Sequence, residues 1–144
     1  MGACMIRIEI PGKPFAKQRP RFSRKTGRTY TPDATVSFER TVGQYAIEAG
    51  AEPIKGPCRL VLTAIFMPPK SWSKKKTAEH LWRPHIQRPD LDNIEKAVLD
   101  GLNRIAFADD SQVCLVEKQK MWGSEAKTII EVHPITNMMT GRKS

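Results

Sequence analysis

The chain has 144 residues, with 24 Lys and Arg against 15 Asp and Glu and a net charge of +9. That length can bury a core, and a hydrophobic fraction of 40% excludes a disordered chain. No apolar run approaches the roughly 18 residues of a membrane span. Cys4, Cys58 and Cys114 form no CxxC pair, and the opening residues lack the apolar stretch of a signal peptide. The expectation is one domain over residues 1–144, in the reducing cytoplasm and away from membranes. The surplus of cations points to a nucleic-acid partner, because Lys and Arg neutralise phosphates and release counterions. A generic basic surface is the plain alternative.

Met5 to Ile10 alternates apolar and polar residues, with Ile6, Ile8 and Ile10 on one face, which predicts a half-buried strand. Residues 11–30 are broken by Pro11, Gly12, Pro14, Pro20 and Gly27. They carry seven basic residues and no acid, the pattern of a long basic loop or hairpin. Thr31-Pro32-Asp33 reads as a helix start, with Thr31 at the N-cap and Pro32 at the first helical position. Phe38, Val42, Tyr45, Ala46 and Ala49 follow at helical spacing, and Gly50 suits a C-cap. After a linker from Glu52 to Pro57, the apolar run Arg59 to Phe66 predicts a central strand buried on both faces.

Residues 67–89 form a second basic, proline-broken segment, in which Lys74 to Trp82 suits a short helix. Asp92 to Ile105 is a second main helix, with Ile94, Ala97, Val98, Leu102 and Ile105 on one stripe. Its Asp92 and Glu95 have capping-box spacing. Val113–Trp122 and Thr128–His133 alternate as two strands, expected to pair in a hairpin around Gly123-Ser124. Residues 136–144 read as a flexible tail. The expected fold class is α/β in the α+β sense: a mixed sheet with two main helices, in the order β-α-β-α-β-β.

Six of the 15 acids fall within the 21 residues from Asp90 to Asp110: Asp90, Asp92, Glu95, Asp100, Asp109 and Asp110. A basic chain that concentrates carboxylates suits a divalent cation held beside a polyanion, since Mg²⁺ takes oxygen ligands and keeps room for substrate phosphate. Asp90 and Asp92 are two apart at the mouth of a helix, and on extended backbone their side chains point the same way. Asp109-Asp110 opens the next strand, where alternation lets one of the two face inward, and Asp110 is the better candidate. Lys96 lies four residues after Asp92 on the same helical face, able to meet phosphate or developing charge. Each feature also has an ordinary explanation. Asp92 suits a helix cap, Asp109-Asp110 a turn, and Lys96 a surface ion pair.

The run Arg88-Pro89-Asp90-Leu91-Asp92-Asn93-Ile94-Glu95-Lys96-Ala97, followed by Phe107-Ala108-Asp109-Asp110-Ser111-Gln112-Val113, resembles the RusA-type Holliday junction resolvases. That family's pattern is D-x-D-N, a Lys four residues after the second Asp, and D-D-x-Q-V about 20 residues after the first. Gly12-Lys13-Pro14-Phe15-Ala16-Lys17-Gln18-Arg19-Pro20-Arg21-Phe22 and Thr31-Pro32 look like one branch of it. The resemblance implies a RusA-like fold and a homodimeric, Mg²⁺-dependent endonuclease, with Mn²⁺ as a possible substitute, that nicks four-way DNA junctions in symmetric pairs during recombination and repair. By position it makes Asp90, Asp92 and Asp110 the metal-binding catalytic acids and Lys96 the essential basic residue.

Lys13, Lys17, Arg19, Arg21, Arg24, Lys25, Arg28, Lys74, Lys75, Lys76 and Arg88 are the candidates for DNA contact. Phe15, Phe22 and Tyr30 interleave with the first group and suit either base stacking or loop packing. His80, His85 and His133 lack metal-ligand spacing and read as structural. Trp72, Trp82 and Trp122 read as packing residues. Two other readings compete with the nuclease: a non-catalytic branched-DNA binder of the same fold, and a metal-dependent hydrolase of small nucleotides. The second leaves two long basic loops without a purpose.

Overall fold

The structure, a computed structural model, describes residues 5–18, 21–30 and 32–135. The expectations placed on Cys4, Arg19, Thr31 and the 136–144 tail lie outside the described residues. The elements are β1 (Ile6–Pro11), β2 (Arg21–Phe22), β3 (Thr29–Tyr30), α1 (Asp33–Glu48), β4 (Cys58–Phe66), α2 (Lys74–His80), α3 (Leu91–Leu102), a 3-10 turn (Asp110–Gln112), β5 (Val113–Trp122) and β6 (Lys127–Pro134). This is a mixed α/β fold: one four-stranded sheet in the order β1-β6-β4-β5, three helices, and a small β2-β3 hairpin inside the first basic segment.

Helices α1 and α3 pack side by side on the inner face of the sheet. Val42 and Ala46 of α1 and Ile94, Val98 and Leu102 of α3 meet Ile8, Ile10, Leu60, Leu62, Ala64, Ile130 and Val132 in one core. The helices come close because Gly43 and Gly101 face each other's helix. A Cβ on Gly101 would stand 2.6 Å from Val42 Cβ, and one on Gly43 would stand 2.8 Å from Ile105 Cδ1. Among the described residues, no helix covers the outer face. Arg7, Glu9, Arg59, Glu117, Lys127, Glu131 and His133 lie across it, and ion pairs such as Arg59 to Glu117 and Lys127 to Glu9 satisfy them. Exposed pairs of this kind contribute about 0–1 kcal/mol each, so the inner core supplies most of the stability.

Four sequence expectations change. β5 and β6 do not form a hairpin. β5 pairs in parallel with β4, while β6 pairs antiparallel with both β4 and β1. The connection therefore crosses the end of β4. Gly123 permits the crossing: its N–H donates to the Phe66 carbonyl, and a Cβ there would lie 2.4 Å from Ile65 Cγ2. β4 is central as expected, but only its inner face is fully buried, and Arg59, Val61 and Thr63 are half-exposed. The first helix begins at Asp33, because Pro32 is extended at ψ 144° and its carbonyl accepts from Thr35 and Val36. The second main helix runs from Leu91 to Leu102, not from Asp92 to Ile105. The chain leaves it at Asn103 and turns through Arg104, which has φ +69°.

Candidate active site

Strand β5 fixes the entrance to α3. Its register on β4 places Val116, Lys118, Lys120 and Trp122 opposite Leu60, Leu62, Ala64 and Phe66, so these four face the helices. Lys118 Nζ donates to Asp92 Oδ1 and Glu95 Oε1, both at 2.6 Å. Lys120 Nζ donates to the carbonyls of Gln87 at 2.5 Å and Pro89 at 2.7 Å. The segment before α3 also lies along β5 like a further strand. Trp82 N–H donates to the Trp122 carbonyl, Trp122 N–H to Arg83, and His85 N–H to Lys120. Two lysines in an otherwise apolar alternation thus hold the approach to Asp90 and the first turn of α3.

Asp90 sits at the N-cap position on extended backbone, φ −71° and ψ 142°, and its side chain makes no cap hydrogen bond. Its backbone carbonyl accepts from Asn93 and Ile94, so the carboxylate is left to other partners. Asp92 is 87% exposed at its side chain. The hydrogen bond from Lys118 holds its carboxyl below the usual carboxylate range, and the same bond, with that to Glu95, raises the Lys118 ammonium. The expected Asp92–Glu95 capping box is therefore replaced by a shared lysine. Lys96 is exposed one turn further along.

The capping box forms at the other acidic pair. Asp109 caps the 3-10 turn by accepting from Ser111 N–H, the Ser111 hydroxyl first and this N–H next lower its pKa, and Gln112 Oε1 accepts from Ala108 and Asp109 N–H. Gln112 Nε2 donates to the Ile54 and Gly56 carbonyls, pinning the start of β5 to the α1–β4 connection. Asp110 is the first residue of that turn and is half-buried against the α3 side of the fold. Five strand residues, about 16 Å at the usual rise, separate the start of β5 from Lys118 and its Asp92. Within one chain, Asp110 stands just before β5 and Asp92 meets the strand near its middle, at Lys118.

Oxygen-only carboxylate donors suit a hard divalent cation in kind. Among the described residues, no three His, Cys, Asp or Glu side chains converge closely enough to hold one as they stand. The pair at the mouth of α3 is what one chain assembles.

The first basic segment reaches the same end of the molecule. Lys17 N–H donates to the Asn93 carbonyl in the first turn of α3, while Lys17 Nζ pairs with Asp100 and lies 3.7 Å from Glu39. Lys17 is thus engaged within the protein, its ammonium raised chiefly by the Asp100 hydrogen bond. Phe15 stacks on Phe38 at 5.0 Å, whereas Phe22 and Tyr30 are exposed on the β2-β3 hairpin. Arg24, Lys25 and Arg28 are exposed around that hairpin, and Arg21 stands in its first strand. Lys74, Lys75 and Lys76 are exposed on α2, with Lys76 Nζ 4.3 Å from the Trp72 ring centre. Lys13 and Arg88 line one cleft with Gln87, in the segment that leads to Asp90. The cations therefore occur on the two basic segments that precede α1 and α3.

Residues 11–133 match the family model for endodeoxyribonuclease RusA, which is most of the chain and includes every motif position above. The chain belongs to the RusA endodeoxyribonuclease family. A relative from Bacillus subtilis (strain 168), the uncharacterized protein YqaN, is 31% identical over 139 residues, covering 91% of this chain and 97% of its own. In this RusA-family chain the carboxylates occupy the helix mouth, and Lys118 and Lys120 are the site residues that reading the sequence missed. Their signal was present: two lysines two apart, in phase with Val116 and Trp122 on the helix-facing side of an alternating strand.

Proposed function

We propose that this protein is a divalent-metal-dependent endonuclease that resolves four-way DNA junctions by paired symmetric nicks, as a homodimer in the cytoplasm, in recombination and repair. The observation that carries the reading is the Asp90–Asp92 pair, fixed by β5 lysines at a helix mouth flanked by cationic segments in a chain of this family. Asp90, Asp92 and Asp110 would hold Mg²⁺, or Mn²⁺ in its place. A cation there would supply Lewis-acid polarisation of the scissile phosphate and a lowered pKa for its bound water.

The chain's own residues do the rest. Lys118 holds Asp92 ionised and oriented. Lys120 fixes the backbone that presents Asp90. Lys96 meets charge developing on the phosphate. Arg24, Lys25, Arg28 and Lys74 to Lys76 hold the arms through phosphate contacts that carry no sequence information. A two-fold dimer matches the two equivalent strands of a junction. It also offers a route by which the Asp110 of one protomer meets the Asp90–Asp92 pair of its partner.

Asp90→Asn tests the assignment. It is expected to bind a labelled four-way junction as tightly as wild type and to lose nicking in Mg²⁺ by a hundredfold or more, roughly 3 kcal/mol of transition-state stabilisation. Junction binding in both proteins with no Mg²⁺- or Mn²⁺-dependent nicking in wild type would favour a non-catalytic binder. Wild-type nicking by Asp90→Asn would move the site elsewhere.

A further inference from the structure

Between the end of β4 and the segment that leads to Asp90 lies a cleft of about 140 Å³, lined by Arg88 two residues before that acid. Lys13, Gln87 and Arg88 stand at it with Met67, and Phe66, His85 and Trp122 are its buried aromatic members. His85 is only 6% exposed, its ring clamped between Phe66 at 4.2 Å and Trp122 at 4.3 Å, and its Nδ1 has no hydrogen-bond partner. The imidazole is held neutral, since burial first and Lys120 next push its pKa down, with Lys13 adding to the effect.

We propose that this cleft is a nucleobase-binding site, which takes one unstacked base adjoining the scissile phosphate and so gives the nuclease a sequence preference. The inference rests on the junction-nuclease reading for the identity of the strand, but the chemistry is that of the cleft. Its volume suits one flat ring. The aromatic and Met67 walls suit an apolar ring face, the amide of Gln87 and the neutral imidazole suit the polar edge of a base, and Lys13 and Arg88 suit the phosphate attached to it. A bare phosphate would leave the apolar walls unused, and a metal would find no carboxylate among the residues named.

Ile86 supplies a means of delivering the base. It stands between His85 and Gln87 and is 90% exposed, an apolar side chain left to solvent. Apolar side chains that enter a base step unstack it, and a branch point is where unstacking costs least. Ile86 opens the step, and the cleft receives the displaced base. The hydrogen bonds from Lys120 to Gln87 and Pro89 fix the cleft relative to Asp90, so base capture and backbone positioning are coupled.

The test places 2-aminopurine, a base whose fluorescence rises on unstacking, at each position around the cut of a four-way junction and within a short single strand. Binding is followed in Ca²⁺, and cleavage rates in Mg²⁺ are compared for all four natural bases at the responding position. The expected result is one responding position, and a preference among bases of about tenfold in rate. His85→Phe, which keeps a ring between Phe66 and Trp122 but removes both nitrogens, should reduce that preference to about twofold or less. Gln87→Ala, at an exposed position, should do the same if His85→Phe fails to fold. Ile86→Ala should lose the fluorescence change on the junction but keep it on the single strand.

A nicked junction with no responding position, or variants that retain the wild-type preference, would overturn the base site and leave the nuclease intact. A single-strand response that depends on His85 and Gln87, with no junction nicked, would keep the base site and overturn the resolvase reading.

Discussion

Lys118 is the residue on which the candidate site turns. It binds Asp92 and Glu95 together from the helix-facing side of β5. Lys118→Met removes the group that orients both, and losses of this indirect kind run about 10- to 100-fold in metal affinity or rate. The expected signature is a rise in the Mg²⁺ concentration needed for half-maximal nicking, measured by titration. Its pH dependence has a definite sign. The lysine depresses the Asp92 pKa, so the wild-type carboxylate stays ionised below the usual range. Without Lys118, protonation begins at higher pH, and the acid limb of the rate profile moves up. An unmoved limb would detach Lys118 from the chemistry.

His85 gives a second test at this scale. Its folded pKa is depressed from the ordinary 6.5 by burial. As pH falls through 6.5 the unfolded chain takes up a proton that the folded chain refuses, so stability is lost from there down to the folded pKa. His85→Phe should flatten that part of a denaturation profile measured between pH 7 and pH 5. A profile with unchanged slope would show that the histidine does not titrate on unfolding.

At the scale of elements, the α1–α3 contact depends on two glycines that carry no chemistry. A methyl group at Gly101 meets Val42 Cβ at 2.6 Å and the Glu39 carbonyl at 3.0 Å, and neither is the end of a flexible side chain. Gly101→Ala should therefore destabilise the fold by about 1–3 kcal/mol despite its better helix propensity. A lowered melting temperature checks this, and a raised one would mean that α1 and α3 are free to separate. Helix periodicity places Gly101 on the inner stripe beside Val98 and Leu102, but it cannot show that another helix passes so close.

The same limit explains what was legible in the sequence. β1, α1, β4, α3, β5 and β6 were readable because each carries its own period or apolar run. The Asp90–Asp92 pair was readable because it is local, two residues apart at a helix start. The β5–β6 hairpin was wrong because turn residues at Gly123-Ser124 cannot report that a third strand lies between. The Asp109–Gln112 capping box and the Lys118 bridge were hidden for a related reason. Capping-box spacing occurs twice, and only the packing of α3 on β5 decides which acid caps a helix and which meets a lysine.

For the whole molecule, the separation of Asp110 from the Asp90–Asp92 pair makes assembly testable. If the three carboxylates meet across the two-fold axis, a mixture of Asp92→Asn and Asp110→Asn chains forms mixed dimers with one intact site each. Equal amounts that exchange freely should regain about a quarter of wild-type nicking. If the three meet within one chain, every site carries a broken member and the mixture stays inactive. Separate inactivity of both variants, checked beforehand, is what lets the mixture decide between the two arrangements.

The strand order has a consequence for biosynthesis. β6, the last of the strands in chain order, lies inside the sheet between β1 and β4. A nascent chain that has emerged only as far as Glu125 has no partner for β1 and leaves the β6-facing edge of β4 open, with its row of Leu60, Leu62 and Ala64 partly uncovered. An open apolar edge of that kind recruits other strands. The open edge thus emerges before the strand that closes it. Closure is one insertion that pairs β1 and completes β4 together.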